Sequence, residues 1–332
     1  MKLRKLGKNG PEISALGIGA MSFAEFYGPT TEENSFAVLS AALDAGVTHI
    51  DTANVYGMGR SERAIGQFLR DNPGTREQFH IATKAAITKD DDGNRCFKNS
   101  LEHLESELDK SLEKLGVDHV DLFYVHRRQD DMPIEEVAGH MNILKEKGKI
   151  KAIGLSEIAP YTLRRAATEA QIDAVQNEYS LSTRLPEMGL VQACAELGTT
   201  LVAFSPVGRA LLTDNPIPKE RIPELGFMKV NPRFLEPNYS LNLAATDPLR
   251  AYAGELGVPT AALAIAWVLA QGEHIIAIPG TRSTGHFAEL VTGANLDLTP
   301  DQLTKIEDIL PVGWAYGDRY SAGQNVGPER YC

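Results

Sequence analysis

The chain has 332 residues, of which 43% are hydrophobic and 23% are charged, proportions typical of an ordinary globular protein. Its formal net charge of −11 at pH 7, with no local basic block, argues against a surface that binds nucleic acid or an anionic membrane. The cysteines Cys96, Cys194 and Cys332 lack metal-ligand spacing, and no apolar segment follows the N-terminal lysines, so we predict a cytoplasmic protein without a signal peptide or disulfide framework.

The N-terminal segment MKLRKLGKNGPEISAL places two alternating apolar stretches around a Gly-Lys-Asn-Gly turn. This pattern predicts a β-hairpin that precedes the main fold and caps one end of it. Short apolar segments rich in β-branched residues then recur along the chain, and each predicts a strand. They lie at 16–20, 47–51, 79–83, 120–125, 150–156, 173–176, 200–205 and 274–279.

Amphipathic helical segments separate these strands, among them residues 31–46, 100–116 and 133–149. Alternating strands and helices predict a parallel sheet covered by helices, and a count of eight favours a closed (β/α)8 TIM barrel over an open doubly wound sheet. We interpret residues 1–332 as one domain of this kind. The Pro-rich loop 207–246 and the tail 311–332 break the alternation, and we interpret them as covers for substrate or cofactor.

Titratable residues stand where three consecutive predicted strands end: Asp51, Lys84 and His126. In a barrel of this kind the chemistry lies at the carboxyl ends of the strands. Tyr56 follows Asp51 by five residues, so its loop can bring the phenol back towards Lys84. We expect Asp51 to keep Lys84 charged and the Lys84 cation to lower the phenol pKa, which makes Tyr56 a general acid. His126 would then hydrogen-bond the oxygen that receives the proton.

Each of these residues also has a structural interpretation. Asp51 can cap a helix, Lys84 can be a solvated strand end, Tyr56 can simply pack, and a lone histidine such as His126 is more often a core residue than a catalyst. A lysine at a barrel strand end is also the nucleophile of Schiff-base lyases, which leaves that reaction class open. The joint occurrence of four such residues at one end of the barrel favours catalysis.

A second feature indicates a phosphorylated ligand. Residues 205–209 follow the seventh predicted strand, and residues 279–283 follow the eighth and precede a helical pattern. These two loops are the usual phosphate site of such barrels, and an arginine beside a helix N-terminus suits an anion. The G-x-G-x-x-G fingerprint is missing, as are P-loop and metal-binding patterns, so we expect no Rossmann-type cofactor site and no metal.

Taken together, several motifs resemble the aldo-keto reductases, in the order of that family and across nearly the whole chain. They are DTANVYG (51–57), HIATK (80–84), YVHR (124–127), GKIKAIGLSE (148–157), VQNEYS (175–180), AFSPVGR (203–209) and IPGTR (278–282). The resemblance implies a (β/α)8 barrel that binds NADPH and reduces aldehydes or ketones to alcohols. It also implies Tyr56 as general acid, Asp51 and Lys84 as residues that tune it, and His126 as the residue that orients the carbonyl.

The same resemblance implies a set of cofactor contacts. Ser156, Glu157 and Gln176 would hold the carboxamide, and Phe204 would stack on the nicotinamide ring. The pyrophosphate would lie on Ser205, Pro206, Val207, Gly208 and Arg209, and the adenosine end on Gly280, Thr281, Arg282, His286 and Glu289. Three positions depart from the family: Glu157 stands where many members carry Asn, His286 where several carry Arg, and Leu290 where Asn is usual.

The resulting hypothesis is a carbonyl reductase that acts with NADPH on a small-molecule substrate. The alternatives are a Schiff-base lyase that uses Lys84, and a weakly active regulatory subunit that binds NADPH. The natural substrate depends on the two cover segments, and neither it nor the oligomeric state is encoded in a recognisable motif.

Overall fold

The computed structural model describes residues 1–331, so Cys332, the last residue of the predicted tail, lies outside the described residues. Eight parallel strands form one sheet. In chain order they are β3 (Gly17–Gly19), β4 (His49–Asp51), β5 (His80–Ala85), β8 (Val120–Val125), β9 (Ile150–Ser156), β10 (Ala174–Glu178), β11 (Thr200–Phe204) and β12 (Ile275–Ile278). All eight coincide with the predicted strands, and the (β/α)8 prediction is confirmed.

Hydrogen bonds between the first and last strands close this sheet into a barrel. The backbone N–H of Ala277 donates to the carbonyl of Ala15 at 3.0 Å, and that of Gly19 donates to Pro279 at 2.9 Å. Gly19 permits the approach, because a Cβ there would lie 2.5 Å from the carbonyl oxygen of Ile278. The closed barrel leaves no unpaired sheet edge.

The predicted N-terminal hairpin is present as β1 (Leu3–Lys5) paired antiparallel with β2 (Glu12–Ser14). Its apolar side chains Leu6 and Ile13 are fully buried and pack with residues of the barrel interior, including Val202 and Ile276. The hairpin therefore seals the amino-terminal end of the barrel, as predicted, and leaves the opposite end for the site.

Helices surround the barrel and follow its strands. They are α1 (Glu32–Asp44), α2 (Arg60–Asp71), α3 (Leu101–Leu115), α4 (Ile134–Glu146), α5 (Pro160–Ala166), α6 (Leu190–Leu197), α7 (Asn238–Glu255), α8 (Thr260–Ala270), α9 (Thr284–Asn295) and α10 (Pro300–Ile309). The start and end of α3 show why its sequence is helical: the Ser100 hydroxyl accepts the N–H of His103 at 3.3 Å, and Gly116 ends the helix in the left-handed region.

Two segments differ from the sequence prediction. Residues 238–246, expected in the 207–246 loop, form the first half of α7, and Pro248 in the middle of that helix obscured its pattern. A second hairpin, β6 (Ile87–Lys89) with β7 (Arg95–Phe97), was not predicted. Its turn contains an Asp92-Gly93 step with Gly93 at φ 83°, which is a hairpin signal, but the flanking strands of three residues are too short to show an alternating pattern in the sequence.

Within residues 1–331, no single helix has both the length and the apolarity needed to cross a membrane. Helices α7 and α8 together pass that test by length and composition, but they meet at a bend of 93°. The side chains of α8 are buried except at its last residue, so α8 is a core helix of the barrel.

Arg4 links the hairpin to the barrel by hydrogen bonds, and its substitution tests how much this link stabilises the fold. Its guanidinium is buried and donates to the carbonyls of Leu269 at 2.7 Å, Gly272 at 2.8 Å and Ile275. Replacing Arg4→Met keeps an apolar stem but removes three charge-assisted hydrogen bonds, so we expect the free energy of unfolding in urea to fall by about 3 kcal/mol. Lys5→Met, an exposed change in the same strand, should cost less than about 0.5 kcal/mol. Equal losses in the two variants would contradict this role.

Candidate active site

A cavity of about 470 Å³ opens at the carboxyl ends of the barrel strands. Four strands of the barrel place predicted site residues on its wall. Asp51 ends β4, His126 follows β8, Ser156 ends β9, and Phe204 ends β11. Because parallel strands end at the same rim, side chains far apart in sequence meet there.

A buried ion pair lies at the base of the cavity. The Lys84 amine is fully buried and contacts the Asp51 carboxylate directly, and it also donates to the carbonyl of Thr52 at 2.7 Å. Gln176 donates to the other Asp51 oxygen at 2.7 Å. Burial raises the pKa of Asp51 and lowers that of Lys84, while the attraction between them opposes both shifts. Both charges are thus satisfied within the protein.

Tyr56 completes this group from the loop after β4. Its hydroxyl lies 3.5 Å from the Lys84 amine, and its ring meets the His126 ring edge-on, with centroids 5.9 Å apart. The loop turns sharply at Gly57, where φ is 58° and a Cβ would lie 2.9 Å from that of Ala24. The structure therefore brings Asp51, Tyr56, Lys84 and His126 together, as the sequence predicted from their positions.

The predicted effect of Lys84 on the Tyr56 pKa is wrong. Burial raises the pKa of Tyr56 above its ordinary value, the Asp51 carboxylate raises it further, and only Arg127 lowers it. The reason is that a buried phenolate loses its hydration, while the charge of Lys84 is already balanced by Asp51. Tyr56 is consequently a neutral phenol that keeps its proton across the neutral pH range.

His126 is neutral as well. Burial holds its pKa well below the ordinary 6.5, and the nearby cations Arg127, Lys84 and Arg95 lower it further. Its Nδ1 is buried without a hydrogen-bond partner among residues 1–331, while the side chain lines the cavity. A neutral imidazole in this place offers one N–H donor to a ligand in the cavity.

Part of the predicted cofactor set lies along one side of the cavity: Ser156, Gln176, Phe204, Ser205, Pro206, Val207, Arg209 and Gly280. Ser205 and Arg209 have left-handed φ angles of 50° and 55°, a conformation that non-glycine residues adopt mainly at constrained functional loops. The wall offers the hydroxyl of Ser156, the amide of Gln176 and the ring of Phe204, and the loop 205–209 follows them. These groups fit a ligand in which a planar ring bears a carboxamide and is joined to phosphates.

Two predicted cofactor residues are bonded within the protein instead. The Glu157 carboxylate accepts hydrogen bonds from Arg319 and, at 2.9 Å, from the N–H of Glu178, and Glu157 does not line the cavity. Arg209 forms two hydrogen bonds with Glu178, at 2.7 and 3.0 Å. Burial opposes ionisation of Glu178, but Arg209 and Arg319 hold its pKa at about 2. The structure thus leaves the Glu157 carboxylate outside the cavity that Ser156 and Gln176 line.

The predicted adenosine contacts lie beyond the cavity wall, apart from Gly280. Thr281 is buried, Arg282 is half-buried and donates to the carbonyl of Pro29 at 2.7 Å, and His286 is exposed in the first turn of α9. Glu289 is half-buried one turn further on. Gly208 also stays outside the cavity, with its backbone at φ 58° against Ser182.

Several wall residues were not among the predicted catalytic and cofactor-binding residues. Arg127 directly follows His126, and Arg95 comes from the unpredicted hairpin β6–β7. Aromatic residues close the mouth from three separate segments, namely Phe26, Tyr27, Phe227 and Tyr320. The YVHR motif contained a signal for Arg127, whereas no local pattern shows that Phe227 and Tyr320 meet, with ring centroids 6.0 Å apart.

Comparison with known proteins agrees with this geometry. Residues 15–311 match the sequence model described as the Aldo/keto reductase family. The chain belongs to the aldo-keto reductase family. It is 35% identical to an aldo-keto reductase of Schizosaccharomyces pombe whose name specifies NADP(+), over 96% of this chain and 94% of that protein. It is 37% identical to probable aldo-keto reductase 1 of Glycine max, over 99% and 94% of the two chains.

Solved structures of other aldo-keto reductases share the fold. A glycerol dehydrogenase from Gluconobacter oxydans superposes with a TM-score of 0.80 at 28% identity, covering 93% of this chain and 94% of that one. A thermostable aldo-keto reductase in complex with the inhibitor epalrestat gives a TM-score of 0.74 at 27% identity, covering 93% and 100%. The protein is therefore an oxidoreductase of a family that uses NADPH and acts on small-molecule carbonyl substrates.

The depressed pKa of His126 predicts a pH dependence of stability. In the unfolded chain His126 takes up a proton near pH 6.5, whereas in the folded protein it stays neutral at that pH. The contribution of His126 to the free energy of unfolding is therefore fully present above pH 6.5 and falls as the pH drops below it. His126→Gln should reduce the slope of unfolding free energy between pH 6.5 and 5 by up to about 1.4 kcal/mol per pH unit. Tyr56→Phe, at the same cavity, should leave the slope unchanged. Identical slopes in wild type and His126→Gln would refute the assignment.

Proposed function

We propose that the chain reduces an aldehyde or ketone to the alcohol, with Tyr56 as the acid that protonates the carbonyl oxygen. The observation that supports this most directly is a neutral phenol that lies 3.5 Å from a buried ammonium and in edge-on contact with an imidazole that lines the same cavity. NADPH, when bound, supplies the hydride to the carbonyl carbon. The protein supplies the proton and the positions of the reacting groups.

The proton moves as negative charge develops on the carbonyl oxygen. Because burial keeps the phenol protonated, Tyr56 carries the proton that it donates to the carbonyl oxygen before the reaction begins. The charge of Arg127 then stabilises the phenolate that remains, and the Lys84 amine lies within hydrogen-bond distance of its oxygen. Asp51 holds Lys84 in place, so that the amine lies beneath the phenol rather than in the cavity.

His126 orients the carbonyl in this proposal. Its ring lines the cavity beside Tyr56, and as a neutral imidazole it donates a hydrogen bond without competing for the proton. Two donors aimed at one oxygen fix its position and favour charge on it. Phe227 and Tyr320, from the loop 207–237 and the tail, would cover the substrate on the solvent side.

Residues on the other side of the mouth would hold NADPH. Ser156 and Gln176 suit the carboxamide, Phe204 the nicotinamide ring, and the loop Ser205–Arg209 the pyrophosphate. Arg282, beside the N-terminus of α9, would bind the phosphate that distinguishes NADPH from NADH, with Thr281 and the exposed N–H groups nearby.

The alternatives from the sequence fit the geometry less well. The Lys84 amine is fully buried and already donates to Asp51 and Thr52, so a Schiff-base lyase would lack an accessible nucleophile. A weakly active NADPH-binding subunit would not need the four residues to converge. Turnover of NADPH with a simple aldehyde separates that possibility from the proposal.

Tyr56→Phe tests the acid. The change keeps the ring and its contact with His126 but removes the proton, so we expect kcat to fall by roughly 10²–10⁴-fold, with the dissociation constant for NADPH nearly unchanged. Tyr27→Phe removes another phenol that lines the same cavity but is not a hydrogen-bond partner of Lys84, and it should have a much smaller effect on kcat. If both variants lose the same activity, or Tyr56→Phe loses little, the role of Tyr56 is disproved.

Arg282→Ala tests the proposed phosphate contact. A charge-assisted hydrogen bond to phosphate is lost, so the dissociation constant for NADPH should rise by about 10-fold or more, as measured by ligand fluorescence. Binding of NADH, which lacks that phosphate, serves as the internal control and should change far less. A variant that loses nothing with NADPH would place the phosphate elsewhere.

A further inference from the structure

Two arginines on the cavity wall have no acidic partner. Arg127 donates through Nη1 to the Ser156 hydroxyl at 3.1 Å and to the carbonyl of His126, and its Nε has no acceptor. Arg95 lies over the ring of Phe97, 5.3 Å from its centroid. Among residues 1–331, neither guanidinium forms an ion pair with a carboxylate. Both cations are therefore available to a negatively charged ligand.

The other charges on the wall are already neutralised. Asp51 is paired with Lys84, and Arg209 is paired with Glu178. The wall thus carries two uncompensated positive charges in a chain whose net charge is −11. Two like charges that share a small cavity repel each other, and an anion between or beside them removes that repulsion.

The position of these arginines is far from the loops proposed for the phosphates of the cofactor. Arg95 and Arg127 follow β5 and β8, the third and fourth strands of the barrel, whereas the loops proposed for the phosphates of NADPH follow the seventh and eighth. In an eight-stranded barrel, these pairs of strands lie on opposite sides. Arg127 also follows directly after His126, which we place at the carbonyl oxygen.

We propose that the substrate carries a carboxylate as well as the carbonyl, and that Arg127 and Arg95 bind this carboxylate. The inference rests on the proposed function, because it assumes that the carbonyl lies between Tyr56 and His126. Arg127, half-buried and fixed by two hydrogen bonds, presents its remaining N–H groups to the carboxylate. Arg95, exposed at the rim, attracts the anion and closes that end of the site.

A matched pair of aldehydes tests the charge requirement. 4-Carboxybenzaldehyde and its methyl ester differ in charge but present the same carbonyl. We expect wild-type kcat/KM to be about 10- to 100-fold higher for the acid at low ionic strength, and the ratio to fall as NaCl is added. If the ester is reduced as well as the acid, the carboxylate site is refuted while carbonyl reduction stands.

Substitutions show which residues cause the preference for the acid. For each variant, the ratio of kcat/KM for the acid to kcat/KM for the ester is measured, because a change in cofactor affinity affects both values equally and cancels in the ratio. Arg127→Met should abolish the preference, and Arg127→Lys should keep part of it. Arg95→Met, an exposed change, should lower the preference about threefold or more. Lys98→Met removes one exposed charge just after the same hairpin, outside the cavity wall, and should keep the wild-type ratio. A preference that survives Arg127→Met, or falls equally in Lys98→Met, overturns the proposal.

A binding measurement tests the site independently of turnover. 4-(Hydroxymethyl)benzoate should raise the melting temperature of the wild-type protein, and its methyl ester should not; the difference should vanish in Arg127→Met. If neither aldehyde is reduced but this difference is present, the proposed function fails and the anion site stands. If 4-formylphenyl phosphate exceeds the carboxylate in kcat/KM, the site takes a dianion and the assignment to a carboxylate is wrong.

Discussion

The buried contact between Lys84 and Asp51 is the interaction on which the site depends. Two opposite charges at the closed core of the barrel are tolerated only because each has the other, together with the Thr52 carbonyl and the Gln176 amide. Removal of either partner would leave a buried charge unpaired, which costs about 3–5 kcal/mol. The pair also keeps the Lys84 amine buried, 3.5 Å from the Tyr56 hydroxyl, so that in the proposed reaction the contact that stabilises the fold also holds the amine against the phenol.

The two ends of the barrel around this pair differ: the N-terminal hairpin closes the amino-terminal end, and the cavity opens at the carboxyl end. Leu6 and Ile13 of the N-terminal hairpin fill the amino-terminal end, and Arg4 fixes that hairpin to the chain before β12. At the carboxyl end, the cluster of Glu178, Arg209 and Arg319 joins the strand ends to the loop and the tail. The aromatic cover over the cavity is thereby held by buried charges rather than by apolar packing alone.

The charge on the cavity wall is opposite in sign to the net charge of the whole chain. The protein is acidic overall, yet the wall beside His126 and Tyr56 retains the cations Arg95 and Arg127. Burial keeps His126 neutral, and both cations lower its pKa further, whereas for Tyr56 only Arg127 lowers the pKa against the effect of burial. Arg127 therefore influences the protonation states of both His126 and Tyr56, and in our proposal it also binds the substrate.

The sequence by itself determined the barrel and the convergence of Asp51, Tyr56, Lys84 and His126, because strand periodicity and strand ends are local features that a parallel barrel brings to one rim. Only the tertiary structure decided the protonation state of Tyr56, since burial outweighs a neighbouring cation that is already paired. The tertiary structure alone also showed that Glu157 forms an ion pair with Arg319 and that Arg95 lines the cavity. Those outcomes depend on desolvation and on contacts between distant segments, which no local pattern of residues encodes.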